Sequence, residues 1–508
     1  MNKEYKKRIY IVFALVMLIY AFAIVAFYNI ATNSDYAILV AQQQISSIEL
    51  AESRGTIYDC NLVPLSNNET KLLAVEMPID STSNGKPIVF YAEEETSSNY
   101  IDYFEIETQS SVASNLLGYT DFYGFGVSGV QKAFDDILAK NSGELKMYYT
   151  VDALGRMIVG ESRDYKNTLD ENDAGVILTI DSQIQAICEE EASKLSKGAI
   201  VVVSVPDCNL LASVSYPSFD PENVGDYIES EDSPFVNRVF ASYQIGSVFK
   251  LVVATTALKY GYDYNEEFLC DGSITIGSRE LECYEGTEHG ICNMQLALQK
   301  SCNGYFVNLA QEIGAEKIWQ TAFDLGFGTE TVFYDDYMTS SGNLTDLSDL
   351  NDERALANFS IGQGDLTASP IKIAELINCI ASGGIYVQTR LYEGEYLSNG
   401  DILYNYDDRE KTQIMSEKVA IQLGSYMETV ADFGTGVKGN TEDFLVASKT
   451  GTAETSLEDY VNYWYAGYIG NENAEYAIVV LSESAEYGNN PTGEIFKNIS
   501  QKILDLDI

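Results

Sequence analysis

The sequence predicts an α/β (α+β) C-terminal domain behind a smaller N-terminal domain and one membrane-spanning helix. Three observations carry this. From Gly175 the apolar pattern alternates: residues 176–180 and 199–204 read as strands and residues 183–195 as a helix. Residues 9–28 are twenty uncharged, mainly apolar positions, long enough to cross a bilayer as a helix. Three short motifs, Ser247-Val-Phe-Lys250, Ser301-Cys-Asn303 and Lys449-Thr-Gly451-Thr452, fall in one order along the later part of the chain.

The apolar segment follows Lys3, Lys6, Lys7 and Arg8, so the positive-inside rule places the N-terminus in the cytoplasm and everything after about residue 30 outside. A cleaved signal peptide is the alternative. Its apolar core runs about 7–15 residues, which favours an uncleaved anchor. Residues 1–30 are therefore read as cytoplasmic tail and anchor. Residues 31–170 show patches of strand alternation, turn clusters such as Ser81-Thr-Ser-Asn-Gly85, and no catalytic constellation. The composition turns polar near residues 166–173, and the boundary is drawn there, giving a third segment of 171–508.

The chain is long for one core, at 508 residues. Its net charge is −45, from 76 acidic against 31 basic residues, which argues against binding a phosphate backbone and hence against a nucleic-acid partner. The single histidine, His289, leaves no multi-histidine metal site and makes a Ser-His-Asp triad dependent on that one residue. No cofactor and no metal is expected. Acidic runs such as Glu93-Glu-Glu95 read as solvated faces.

A serine nucleophile needs a base, and Lys250 lies one helical turn from Ser247, where residues three apart are neighbours. Ser-x-x-Lys also occurs at Ser83/Lys86 and Ser369/Lys372, and Ser-x-Asn at Ser66/Asn68, Ser97/Asn99 and Ser341/Asn343. Context separates them. Ser83 sits in a polar loop, and Ser369 before Pro370 reads as a helix N-cap followed by proline at the first helical position. Only Ser247 opens a strongly apolar helix, expected over residues 247–259. Burial there lowers the pKa of Lys250, as a general base near neutrality requires; the plain alternative is a lysine that snorkels to the surface. Taken alone, Lys449-Thr-Gly451 reads as a strand end with a turn glycine, and Ser301-Cys-Asn303 as a solvated turn or N-cap.

In order, the triplet resembles that of penicillin-binding proteins and serine β-lactamases, and the flanking residues are similar to the class B, monofunctional transpeptidases. Arg54-Gly-Thr-Ile-Tyr-Asp59 resembles the opening motif of their N-terminal domain, and Leu178-Thr-Ile-Asp181 with Gln185 the opening of their catalytic domain. Ala212-Ser-Val-Ser-Tyr-Pro217, Asn237-Arg238, Tyr243, His289-Gly290, Ser360-Ile-Gly-Gln-Gly364, Pro370 and Trp464-Tyr-Ala-Gly467 are further similarities. The segment with Leu117-Gly-Tyr-Thr120, Gly129-Val-Gln131 and Phe134-Asp-Asp-Ile-Leu138 is similar to the part that joins their two domains. Cys60 and Leu62 stand where the family usually has Arg and Gly, and Ile245 where it has Pro.

The resemblance implies a penicillin-binding fold, with a central, mostly antiparallel sheet flanked by helices, and a pedestal (dimerisation-like) domain over residues 31–170. It implies a peptidoglycan D,D-transpeptidase in the cell membrane, acting on stem peptides that end in D-Ala-D-Ala and acylated by β-lactams. Ser247 is then the nucleophile, Lys250 its base, Ser301 a proton relay and Asn303 an orienting amide. Lys449 adds charge that depresses the pKa of Lys250, while Thr450 and Thr452 bind the substrate carboxylate. Gly451 lets a peptide lie close, and the Ser247 and Thr452 N–H groups form an oxyanion hole worth about 3 kcal/mol per donor. No glycosyltransferase region is evident, so the resemblance suggests a SEDS-type membrane glycan polymerase as partner. A carboxypeptidase or β-lactamase of the same fold, and a catalytically silent β-lactam-binding scaffold or sensor, are the alternatives.

Eight cysteines would face an oxidising side. Cys270, Cys283, Cys292 and Cys302 cluster before and within the second motif. A Cys270–Cys283 disulfide, or a redox-sensitive pair using Cys302, is one expectation; reduced thiols are the other.

Overall fold

The computed structural model describes residues 3–32, 44–78, 85–152, 154–169, 173–441, 443–455, 457 and 459–506. Ser83 and most of the Ser81–Gly85 turn, like the boundary expected at 170/171, lie outside them. The apolar N-terminal segment is one helix, Lys3–Thr32, with no buried residue and a mean hydropathy of 2.8 in its most apolar window. It meets the length and composition of a single membrane span.

Two compact units follow from the chain's own contacts: residues 1–53, 70–107 and 142–172, and residues 54–69, 108–141 and 173–508. The first unit holds two three-stranded sheets, centred on Gly143–Thr150 and Glu69–Glu76. Leu73, Val75, Ile106, Leu145 and Met147 form its core. Residues 54–69 and 108–141 fold with the second unit, whereas the sequence reading drew its line at a single point. The physical reason is strand pairing: Thr56–Tyr58 runs parallel to Gly175–Leu178, which pairs on its other side with Tyr392–Tyr396. Asp59 then accepts from Asn61 N at 2.8 Å and Val63 N at 2.7 Å, and reaches Ser182 N at 3.1 Å. Leu62, where the family has glycine, holds the left-handed turn at φ 62°.

The second unit is built on a five-stranded antiparallel sheet. Its order is Leu210–Tyr216, Gly198–Ser204, Tyr476–Glu486, Tyr460–Gly470, Leu445–Glu454. Alternate residues of each strand enter different cores, as period-two geometry requires. Ile200, Val202, Ile478 and Val480 pack against the Ser182–Ala192 and Thr492–Leu504 helices. Ala199, Val201, Val203, Val479 and Leu481 join the larger core of the Lys250–Tyr260 and Pro370–Ala381 helices. The mostly antiparallel sheet between helices is the expected fold. Ser369 caps the Pro370–Ala381 helix, its Oγ accepting from Lys372 N at 3.3 Å with proline at the start, and Lys372 Nζ pairs with Glu375 at 2.7 Å. That Ser-x-x-Lys is thus structural.

One correction concerns the third motif. Lys449 is not at a strand end but in the middle of Leu445–Glu454, because pairing continues through Lys449–Ala466, Gly451–Trp464 and Thr452–Tyr463.

Phe496 is fully buried with its ring 4.4 Å from that of Tyr465. Phe496→Ala is expected to destabilise the second unit by about 3–5 kcal/mol, read as a lower unfolding midpoint of the full-length protein. A change below about 1 kcal/mol would contradict this packing.

Candidate active site

Ser247 is on a 3-10 turn, Gly246–Phe249, that runs straight into the Lys250–Tyr260 helix. The expected helix is therefore present, with its first turn tightened. Gly246 has φ +61°, and a Cβ there would collide with the Thr452 carbonyl oxygen. Its N–H donates to Gly362 O at 2.9 Å. Gln363 Nε2 donates to Thr452 O at 3.3 Å, and Trp464 Nε1 to Gln244 O at 2.9 Å. The serine's turn is thus clamped against the edge strand of the sheet on one side and the 360–364 loop on the other.

Lys250 is fully buried, and its Nζ donates to Ser301 O at 2.6 Å, Ser301 Oγ at 3.3 Å and Asn303 Oδ1 at 2.7 Å. None of these acceptors is a carboxylate, so the loss of water around an ammonium is only partly offset. Burial lowers its pKa to about 8, against an opposing pull from the Cys302 and Cys283 sulfurs. Lys449 is equally buried and donates to Ser301 Oγ at 3.0 Å and Thr450 O at 2.8 Å. Its pKa lies well below the usual lysine value, through burial first and the neighbouring Lys250 charge second. Burial, and not the charge of Lys449 that the sequence reading invoked, accounts for the shift at Lys250; the charge effect runs the other way, from Lys250 onto Lys449.

Ser301 joins the two amines. It lies between the Met294–Gln299 and Asn303–Ile313 helices with a left-handed φ of 55°. Such strain in a non-glycine residue persists only where the surroundings hold it. Cys302 N donates to Ala297 O at 2.8 Å, and Cys302 Sγ caps the next helix by accepting from Tyr305 N at 3.4 Å. The Asn303 amide splits its two ends: Oδ1 accepts from Lys250 while Nδ2 donates to Glu282 O at 2.9 Å.

Along the edge strand, Lys449 and Gly451 are buried, Gly451 against the serine's turn, and Thr450 and Thr452 alternate with them as half-buried residues. Thr450 Oγ1 meets Thr435 Oγ1 at 2.6 Å. A Cβ at Gly451 would stand 2.8 Å from Ile245 O, 3.0 Å from Val248 Cγ2 and 3.2 Å from Trp464 Cβ. The glycine is therefore required by the approach of the Ser247 turn, in addition to any ligand. Cys270 and Cys283 are unbonded thiols with sulfurs 3.6 Å apart.

Residues 198–501, which contain all of these motif residues, match the penicillin binding protein transpeptidase domain family. The chain belongs to this family. Stage V sporulation protein D of Bacillus subtilis (strain 168) is 29% identical over 358 residues, 68% of this chain and 53% of that protein. The peptidoglycan D,D-transpeptidase MrdA of Acinetobacter baumannii is 26% identical over 424 residues, 77% of this chain and 62% of that protein. This chain thus matches less than two thirds of either relative's length. The crystal structure of penicillin binding protein 3 from Mycobacterium tuberculosis, complexed with aztreonam, superposes with a TM-score of 0.69 at 20% identity. It covers 91% of this chain and 97% of that one, so the fold is shared.

Within this transpeptidase domain, sequence reasoning missed Thr435 and the specific anchoring role of Gln363. Thr435 stands between two glycines directly after the Glu417–Phe433 helix, a weak turn signal. Gln363 was visible only as part of Ser360–Gly364, with nothing in the motif to name its acceptor.

Gly246→Ala adds a methyl at a left-handed backbone and against Thr452 O. It is expected to destabilise the domain by about 1–3 kcal/mol, seen as a lower melting temperature. An unchanged melting temperature would show that the clamp is loose.

Proposed function

We propose that this protein is a peptidoglycan D,D-transpeptidase that works through a serine acyl-enzyme and is acylated by β-lactams. The observation that carries the reading is the convergence of two buried lysine amines on Ser301 Oγ, beside the turn that presents Ser247. Relatives named D,D-transpeptidase and a structural neighbour complexed with aztreonam support it.

In this reading Ser247 Oγ attacks the carbonyl between the two terminal D-alanines of a stem peptide, and Lys250 Nζ takes the hydroxyl proton. The oxyanion that forms is met by the N–H groups of Ser247 and Thr452. The C–N bond breaks, the departing D-alanine amine receives a proton through Ser301, and the remaining peptide stays esterified to Ser247. An amine from a neighbouring stem then attacks the ester, which forms the cross-link and frees Ser247. Lys449, Thr450 and Thr452 bind the terminal carboxylate, and Lys449 is charged when that carboxylate lies beside it. The edge position of Leu445–Glu454 suits an extended peptide, since an unpaired strand edge accepts another strand.

The Lys3–Thr32 helix is read as the single anchor, with its basic start in the cytoplasm and the catalytic unit outside the cell membrane. Residues 31–170 act as the pedestal of a class B protein, and a SEDS-type polymerase supplies the glycan strands.

Fluorescent penicillin and the detergent-solubilised full-length protein provide the test. Stable covalent label on the wild type and none on Ser247→Ala is the expected result. Rapid drug hydrolysis without stable label would point to a β-lactamase, and neither label nor turnover to a silent scaffold.

A further inference from the structure

Next to this site, four metal-ligating side chains converge without a role in the reaction just described. Cys270 closes the Phe268–Cys270 strand, Cys283 follows the Arg279–Glu282 strand, His289 precedes the Gly290–Cys292 strand, and Cys302 caps the Asn303–Ile313 helix. Their ligand atoms all lie within 4.8 Å of one another. Cys270 Sγ is 3.6 Å from Cys283 Sγ and 3.4 Å from His289 Nδ1, and Cys283 Sγ is 4.0 Å from Cys302 Sγ.

Those separations have a specific meaning. A tetrahedral zinc ion with bonds of about 2.3 Å to sulfur and 2.0 Å to nitrogen sets its sulfurs about 3.8 Å apart and sulfur and nitrogen about 3.5 Å apart. The three separations of 3.6, 3.4 and 4.0 Å fall around these edges, and the remaining pairs lie within 4.8 Å. Three soft sulfurs and one imidazole select zinc over the oxygen-loving cations. Cys270, Cys283 and Cys302 are all buried, as in a closed structural site with no open coordination position.

We propose that Cys270, Cys283, His289 and Cys302 bind one Zn²⁺ as a Cys₃His structural site. Binding displaces the thiol protons to water and leaves thiolate ligands. The site ties the 268–292 segment to the Ser301-Cys302-Asn303 turn. Cys302 stands between the two residues that hold Lys250, so a metal bond from its sulfur fixes the peptide that carries both. The hydrogen bond from Asn303 Nδ2 to Glu282 O, one residue before Cys283, closes the same clamp from the other side. Near it, Cys292 Sγ lies 3.7 Å from Phe268 O, and Lys300 Nζ donates to His289 O at 3.0 Å, which steadies the two strands that present the ligands. The proposal replaces the expectation of no metal, and it excludes the Cys270–Cys283 disulfide, which would consume two ligands.

The full-length protein, purified in detergent with a tag free of histidine and without chelator, is analysed for metal by inductively coupled plasma mass spectrometry. About one zinc per chain is expected, falling at least fivefold in Cys283→Ser and His289→Ala and unchanged in Cys60→Ser. Because a ligand variant can also unfold, wild-type protein stripped of metal is titrated with Co²⁺. Thiolate-to-cobalt charge-transfer absorption with the intense visible bands of a tetrahedral ion is the expected spectrum. Three results would each overturn the proposal: wild-type protein that neither carries zinc nor gives this spectrum, zinc content unaffected by both ligand variants, or a Cys270–Cys283 disulfide found by non-reducing peptide mapping. A slower acylation of Ser247 after zinc removal is also expected. That effect rests on the acyl-transfer reading, whereas metal content and cobalt spectrum do not, so the two can fail separately.

Discussion

The buried amine of Lys250, hydrogen-bonded to Ser301 O at 2.6 Å and Asn303 Oδ1 at 2.7 Å, is the contact on which the other parts of the site depend. It joins the first motif to the second, and Ser301 Oγ carries the connection on to Lys449 and the third. A lysine in such a place is held by dipoles rather than by a carboxylate. Burial without such a partner raises the neutral fraction above that of an ordinary lysine, and a neutral amine one helical turn from Ser247 is what proton abstraction needs. The fold serves this contact. The antiparallel sheet supplies a rigid edge strand for Lys449, and Gly246 and Gly451 let that strand approach the serine's turn until backbone meets backbone.

Much of this was legible in the sequence because the chemistry is local. Ser247 and Lys250 are three residues apart, and Ser301 and Asn303 two, so their mutual placement follows from one helical turn and one tight turn. The Ser369/Lys372 decoy was separable for the same reason, since Pro370 announces a helix start. The twenty-residue apolar run fixed the Lys3–Thr32 helix without help from packing. Even the departures from family pattern were tolerable on local grounds, as Leu62 retains the turn that glycine usually makes.

What the sequence hid is set by contacts between distant segments. The place of residues 54–69 in the second unit depends on a strand pairing across more than a hundred residues. Lys449 looked like a strand end because Lys-Thr-Gly-Thr is a poor strand by propensity, and the pairing with Tyr460–Gly470 overrides that. The Cys270, Cys283, His289 and Cys302 cluster escaped because none of its ligands forms a closely spaced chelating pair. Cysteine count alone suggested disulfides, and only the fold brings the single histidine to the same point.

The pH dependence of Ser247 acylation tests the central claim most directly. If Lys250 is the base, with its pKa near 8, the neutral fraction grows as pH rises through that value. The second-order rate of β-lactam acylation by the full-length protein should then rise about tenfold per unit below about pH 7 and level off above about pH 9. A rate that is flat from pH 6 to 9, or that climbs only above about pH 10 as an unperturbed lysine would require, would contradict the account.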